Sequence, residues 1–185
     1  MATKIFVDAG HGGPDPGAIA NGVVEQAVNL NVANELARLL RQGGYEVMQY
    51  RTTATENVLS NKNADLRNRA NMANNWGADY FISIHSNSSL NPAANGFEAY
   101  VYRLGGRAEA LAQSIVSSVV NRLGSKDNGV MQANFAVLRR TNMPATLLEL
   151  GYVSNPTEAL NLNSPAWQRA VAEAIYDGIY NFVKP

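Results

Sequence analysis

The sequence predicts an α/β fold, in which helices pack on a mainly parallel β-sheet. Short runs rich in β-forming residues alternate with longer segments of helical period, an order typical of parallel sheets. Two of the runs, residues 5–7 and 81–84, are mostly apolar, as expected for strands covered on both faces. No repeat, low-complexity tract or linker divides the 185 residues, so we expect one domain over residues 1–185.

Strands and helices can be assigned from the length and period of each segment. The predicted strands are Lys4–Asp8, Tyr45–Arg51, Tyr80–His85, Phe97–Tyr102, Phe135–Arg139 and Ala145–Leu150. The predicted helices are Val24–Gln42, Asp65–Asn75, Ala108–Leu123 and Pro165–Phe182. The first helix ends at Gly43-Gly44, a usual glycine C-cap, and the last begins with Ser164 as cap and Pro at its first position.

The composition argues against several classes of protein. Lys plus Arg and Asp plus Glu number 15 each, so no net charge draws the chain to nucleic acid or anionic lipid. No apolar run approaches the ~20 residues that span a bilayer, so no membrane segment is expected. The absence of Cys excludes disulfides and thiolate metal ligands. The first residues form a predicted strand, so we expect no signal peptide, as in a cytoplasmic protein or an excised catalytic domain.

The two histidines of the chain each follow a predicted strand. His11 comes shortly after Lys4–Asp8, and His85 closes Tyr80–His85. In an open α/β sheet, functional groups gather beyond the carboxyl ends of the parallel strands, so this matched placement predicts a shared site. The alternative for either residue alone is a buried structural histidine.

Glu25 is the natural third ligand if the two histidines hold a zinc ion, because zinc commonly takes three protein ligands and leaves one position open. It stands where the loop Gly12–Gly22 enters the first helix, at the sheet edge where the first strand ends. The alternative stays open, because a carboxylate at a helix N-terminus is stabilised by about 0.3–1 kcal/mol without any metal.

Glu149 lies within the otherwise apolar strand Ala145–Leu150. Burying an unpaired charge is costly, so such a residue usually has a partner or a function. We interpret it as a catalytic carboxylate. The alternative is a buried salt bridge with Arg139 or Arg140 on the preceding predicted strand.

The glycine-rich loop after the first strand lacks the G-x-G-x-x-G pattern and the P-loop lysine, which disfavours a phosphate site. Its glycines are expected to let the backbone pass close to a ligand or metal. Asp8 and Asp15 could orient His11 or serve in turns. We interpret Asp15 as a turn residue and leave both roles open for Asp8.

Four features in order resemble the zinc-dependent N-acetylmuramoyl-L-alanine amidases of the type 3 family. They are residues 8–18 (DAGHGGPDPGA), the glutamate at 25, residues 83–87 (SIHSN) and residues 144–155 (PATLLELGYVSN). The resemblance extends from Lys4 to Val183. It implies a twisted six-stranded sheet with helices on both faces, one Zn²⁺ on His11, Glu25 and His85, and a general-base role for Glu149.

The resemblance also implies a peptidoglycan substrate, cleaved between N-acetylmuramic acid and L-alanine, and secretion to the cell wall as the catalytic domain of a longer exported protein. Asn87 is interpreted as a substrate contact, with a hydrogen bond to its own loop as the alternative. The rival functions are a zinc peptidase acting within the stem peptide, a glycosidase using Glu25 and Glu149, and a wall-binding module with a vestigial site.

Some members of this family carry a long helical insertion after the strand equivalent to Phe97–Tyr102, which blocks the metal until a partner withdraws it. Here one ordinary helix is predicted between Tyr102 and Phe135, which leaves no room for such an insertion. We therefore expect an open cleft and no need for an activator protein.

Overall fold

The computed structural model describes residues 2–184, which fold around a mainly parallel sheet of six strands. The strands of the chain are β1 (Lys4–Ala9), β2 (Ile19–Ala20), β3 (Val23–Val24), β4 (Glu46–Gln49), β5 (Tyr80–Asn87), β6 (Phe97–Val101), β7 (Asp127–Gln132) and β8 (Ala145–Tyr152). The order in the large sheet is β4-β1-β5-β8-β6-β7, and only β6 and β8 pair antiparallel. β2 and β3 form a separate small hairpin.

Helices cover both faces of the sheet, which confirms the predicted fold class. They are α1 (Glu25–Gln42), α2 (Lys62–Trp76), α3 (Arg107–Leu123), α4 (Ala136–Arg140), α5 (Pro156–Leu162) and α6 (Pro165–Phe182). In β1, Ile5 and Val7 face the larger core with α1, α3 and α6, whereas Phe6 faces a smaller core with α2 and α4. The alternation follows from the two-residue period of a strand. No helix within residues 2–184 is long and apolar enough to cross a membrane.

The predicted strand Phe135–Arg139 is wrong. Residues 136–140 form the short helix α4, and Val137 and Leu138 bury their side chains on the smaller core. Periodicity alone cannot distinguish a short apolar run in a strand from one turn of buried helix. The sixth strand is instead β7, whose sequence DNGVMQ begins with residues that are depleted in strands and so gave no strand signal.

Other boundaries differ by a few residues, as expected for element ends. β8 extends two residues past its predicted end, and α2 begins at Lys62, where the Asn61 side chain caps the helix by accepting from Ala64 N at 2.9 Å. The helix α5 was not predicted. Asn155 caps it and Pro156 occupies its first turn, a start signal present in the sequence.

Candidate metal centre

His11 follows β1 at the carboxyl edge of the sheet, in a backbone conformation that L-residues rarely adopt (φ 59°). Its Nδ1 lies 2.9 Å from Asp15 Oδ2, and its Nε2 lies 3.2 Å from Glu25 Oε1. Asp15 also accepts a hydrogen bond from Gly17 N at 3.1 Å. The interpretation of Asp15 as a turn residue is confirmed, and the same carboxylate also contacts His11 and can orient its ring, which is the other role considered.

Glu25 is the first residue of α1 and is 5% exposed. Its Oε1 accepts from Ser86 N at 3.1 Å and its Oε2 accepts from Ala18 N at 2.8 Å. Burial by itself would raise the pKa of this carboxyl, but the hydrogen bonds and charges of His11 and His85 outweigh burial and lower the pKa. The helix N-terminus and the two imidazoles thus favour the same ionised carboxylate, so both readings of Glu25 fit its position.

His85 lies near the end of β5 with its Nδ1 3.1 Å from Glu25 Oε1. The ring centroids of His85 and His11 are 4.9 Å apart, and the two ring planes are inclined at 75°. Gly10 makes this arrangement possible, because a Cβ at that position would lie 2.3 Å from atoms of the His85 ring. The expectation that glycines of this loop bring the backbone close to the site holds for Gly10, and for Gly17, where a Cβ would lie 2.5 Å from Glu25 Oε2.

The two imidazole nitrogens and the carboxylate oxygen lie within 4.8 Å of one another. The set is compatible with zinc, which accepts nitrogen and carboxylate ligands and in catalytic sites keeps a position free. Burial would lower the pKa of His11, but hydrogen bonds and charges of Glu25 and Asp15 raise it. Both imidazoles lie beside the same oxygen of the buried Glu25 carboxylate, so the three side chains form a chemically fitting metal site.

Glu149 stands on β8 directly beside His85 of β5. Its Oε2 is fully buried and has no hydrogen-bond partner within residues 2–184. Burial, and then the charges of Glu25 and Glu98, raise the pKa of Glu149 well above its ordinary value. Glu149 therefore holds a proton more readily than an ordinary carboxyl does, a property that suits a general acid and base.

The buried salt bridge proposed as the alternative for Glu149 does not form. Within residues 2–184, no ion pair joins Glu149 to Arg139 or Arg140. Arg139, which lies on the short helix α4, instead donates to the side chain of Asn134. The predicted salt bridge requires both arginines to lie on a strand before β8, whereas they lie on helix α4.

Glu98 is the buried neighbour of Glu149 on β6 and was missed by sequence reasoning. The two are paired across the antiparallel β6–β8 ladder, which puts their side chains on one face. Glu98 accepts hydrogen bonds from neutral donors only: Asn87 Nδ2 (2.6 Å), Tyr100 OH (2.8 Å), Asn128 Nδ2 (3.2 Å) and Tyr152 OH (3.1 Å). A carboxylate inside the strand Phe97–Tyr102 was the available signal, of the same kind that singled out Glu149.

Asn87 lies at the end of β5 with both polar groups of its side chain engaged. Its Nδ2 donates to Glu98 and its Oδ1 accepts from Ser88 N at 2.8 Å. The hydrogen bond from Ser88 N is the contact within the loop that the alternative predicted. A contact between Asn87 and the substrate stays a prediction.

Asp8 does not contact His11. It forms an ion pair with Arg69 (2.7 Å) and accepts from Ser83 Oγ (2.7 Å) under the site. Arg69, 2% exposed, also pairs with Asp65 at 2.7 Å. Sequence reasoning missed this arginine, although Asp65 and Arg69 are four residues apart and so share one face of α2.

A cleft of about 390 Å³ opens over His11, His85 and Glu149. Much of the cleft lining is apolar; its apolar residues include Val58, Leu59, Leu66, Phe135, Val137 and Leu147. The side chains of His11 and His85 retain 19% and 18% of their exposure, so the candidate ligands are reachable from the cleft. A small, partly apolar cleft with a few converging polar groups is the usual form of a substrate site.

Comparison with known proteins agrees with this arrangement. The profile of the N-acetylmuramoyl-L-alanine amidase family matches residues 5–181. The sporulation-specific N-acetylmuramoyl-L-alanine amidase of Bacillus subtilis is 38% identical over 177 residues, which cover 95% of this chain and 66% of that protein. The chain thus spans about two thirds of the length of this relative.

Solved structures give the same result. An N-acetylmuramoyl-L-alanine amidase from Clostridium difficile 630 superposes with a TM-score of 0.89 at 34% identity, covering 98% of this chain and 96% of that one. The CwlD amidase of Clostridioides difficile, solved in complex with the GerS lipoprotein, superposes with a TM-score of 0.92 at 27% identity, covering 97% of this chain and 98% of that one. Because the family profile matches residues 5–181, nearly the whole chain, the chain belongs to the N-acetylmuramoyl-L-alanine amidase family.

Proposed function

We propose that this chain hydrolyses the amide bond between N-acetylmuramic acid and L-alanine in peptidoglycan, as a zinc enzyme of the bacterial cell wall. The observation that carries the proposal is a group of three side chains that could bind a metal, His11, Glu25 and His85, in one cleft with Glu149. Within residues 2–184, Oε2 of Glu149 is buried and has no hydrogen-bond partner. Membership of the amidase family supplies the substrate. The arrangement of the three candidate ligands and Glu149 supports a mechanism for cleaving the amide bond.

The three donors would hold one zinc ion, and neighbouring groups of the protein orient each of them. Asp15 orients His11, the amides of Ala18 and Ser86 hold Glu25, and Gly10 leaves space for the ring of His85. When bound, zinc supplies a Lewis acid that polarises the amide carbonyl and lowers the pKa of water towards ~7.

Glu149 would move the protons of the reaction. In its ionised form it takes a proton from the attacking water, and it then delivers that proton to the nitrogen of the departing L-alanine. Both tasks need a carboxyl whose pKa lies above the ordinary value, and burial together with the charges of Glu25 and Glu98 produces that shift. Within residues 2–184 the buried oxygen Oε2 of Glu149 has no hydrogen-bond partner, so no neighbouring donor stabilises the ionised form there.

Mass spectrometry of digested peptidoglycan distinguishes this reaction from its rivals. The amidase releases intact stem peptides with a free amino group on L-alanine. A zinc peptidase would instead cut within the stem, a glycosidase would release sugar reducing ends, and a wall-binding module would release nothing. Any of these three patterns would contradict the proposal.

We further propose that the chain acts at the cell wall, as a secreted protein, and needs no activator. The part of the chain between Tyr102 and Phe135 consists of α3, β7 and short connections, which supports an accessible cleft. Purified chain should therefore degrade purified peptidoglycan alone. Stimulation of about a hundredfold by a partner protein would contradict this part of the proposal.

A further inference from the structure

Arg51 is a buried cation that makes no ion pair with a carboxylate in the described chain. It follows β4, is 1% exposed, and donates only to backbone carbonyl oxygens: Ala9 (3.1 Å), Gly10 (2.9 Å), Gln26 (2.8 Å) and Thr53 (3.3 Å). Burial, and then the nearby charge of Arg69, lower its pKa to about 10, so it stays charged at neutral pH. A buried charge that no carboxylate pairs with directly is costly to keep, although the charges of Asp8 and Asp65 partly offset that cost.

Two of these carbonyls belong to residues adjacent to the candidate metal ligands. Gly10 precedes His11 and Gln26 follows Glu25, and the single nitrogen Nη2 of Arg51 donates to both. One guanidinium thus ties the loop that carries His11 to the first turn of the helix that carries Glu25. The loop also wraps closely around it, because a Cβ on Gly12 would lie 2.9 Å from Arg51 Nε.

The other buried arginine near this loop is bound differently. Arg69 donates to the carbonyls of Ala9 and His11 at 2.8 Å, but its charge is balanced by Asp8 and Asp65. None of its hydrogen bonds reaches α1. Of these two arginines, only Arg51 joins the segments of two different candidate ligands.

We propose that Arg51 is a positioning residue of the metal centre, which holds His11 and Glu25 at the separation that the ion requires. The inference rests on the proposed zinc site. The planar guanidinium can reach several carbonyls at once, whereas the ammonium of a lysine is a single point donor at the end of its chain. Arg51→Lys keeps the charge and Arg51→Gln removes it, and both lose the link between the two segments.

The test is zinc affinity, measured for the purified chain by competition with a chromophoric chelator. Partners of ligands typically change metal affinity by about 10–100-fold, so Arg51→Gln and Arg51→Lys, which both lose the link, should each weaken zinc binding by about that factor. The cobalt-loaded variants should also show altered visible absorption bands, because these bands report ligand geometry. A merely structural role would not move them.

Ile175→Ala is the control, because Ile175 is fully buried on α6 in the larger core and is neither a lining residue of the cleft nor a member of the cluster of candidate ligands. It should lower the melting temperature without changing zinc affinity or the cobalt spectrum. Zinc binding by both Arg51 variants within about threefold of wild type, or an equal loss in Ile175→Ala, would overturn the inference while leaving the proposed function intact. If the wild-type chain binds no zinc, the proposed function fails, and the inference fails with it.

Discussion

Replacing Glu149 by glutamine tests the catalytic role of this residue with the least change in shape. The amide has the size of the carboxyl but cannot accept the proton of water. Glu149 is not one of the three clustered donors, so the candidate metal ligands His11, Glu25 and His85 stay untouched. The substitution should therefore separate catalysis from metal binding.

The size of the effect follows from the environment of the lost group. Glu149 Oε2 has no hydrogen-bond partner, so no other protein group shares its proton. General acid–base catalysis contributes about 10²–10⁴-fold, which corresponds to about 3–5 kcal/mol in the activation free energy. Turnover of Glu149→Gln should fall by this factor while its zinc content equals that of the wild type.

The assay follows release of stem peptides from purified peptidoglycan, with zinc content measured on the same samples by atomic emission. Glu173→Gln, the same chemical change on the exposed surface of α6, serves as the control and should keep full activity. Loss of zinc in Glu149→Gln would show that Glu149 is a ligand. Retention of most of the activity would show that it is a structural charge and that the mechanism is wrong.

Three further predictions concern the same site. Glu25→Gln should lower zinc affinity, and its activity should recover partly with excess zinc; loss of activity at full zinc occupancy would contradict a ligand role. Gly10→Ala should weaken zinc binding in the same competition assay, because the new Cβ would overlap the His85 ring; unchanged affinity would refute this packing. In the metal-free protein, the raised pKa of Glu149 gives stability that is full below the ordinary carboxyl value of 4.5 and is lost as pH rises through the folded-state pKa. The melting temperature of Glu149→Gln minus that of the wild type should therefore increase with pH, and a constant difference would contradict the shift.

The residues of the site were predictable because each stands at a position that topology dictates. His11 and His85 end parallel strands, and such ends meet at one edge of an α/β sheet. Glu149 was detectable as a charge within an apolar strand. The helix that begins at Glu25 starts from the same edge, so the cluster of His11, Glu25 and His85 required no long-range information beyond strand order.

The groups that position these residues were not predictable in the same way. Arg51 and Arg69 are distant in sequence from the loop that they hold, and only the packing of β4 and α2 against β1 brings them to its carbonyls. The misassigned strand at Phe135–Arg139 has a local cause, because one turn of buried helix and a short strand have the same apolar pattern. Contacts between distant segments and short elements are thus the parts that the sequence leaves open.

We propose that this chain cuts the bond between N-acetylmuramic acid and L-alanine by means of a metal held by His11, Glu25 and His85. The most direct measurement is mass spectrometry of peptidoglycan digested by one preparation in three states: as purified, after chelation, and after zinc is restored. We expect stem peptides with a free L-alanine amino group in the first and third states and none in the second. Full release of these peptides by the metal-free protein, or new amino groups within the stem, would contradict the account.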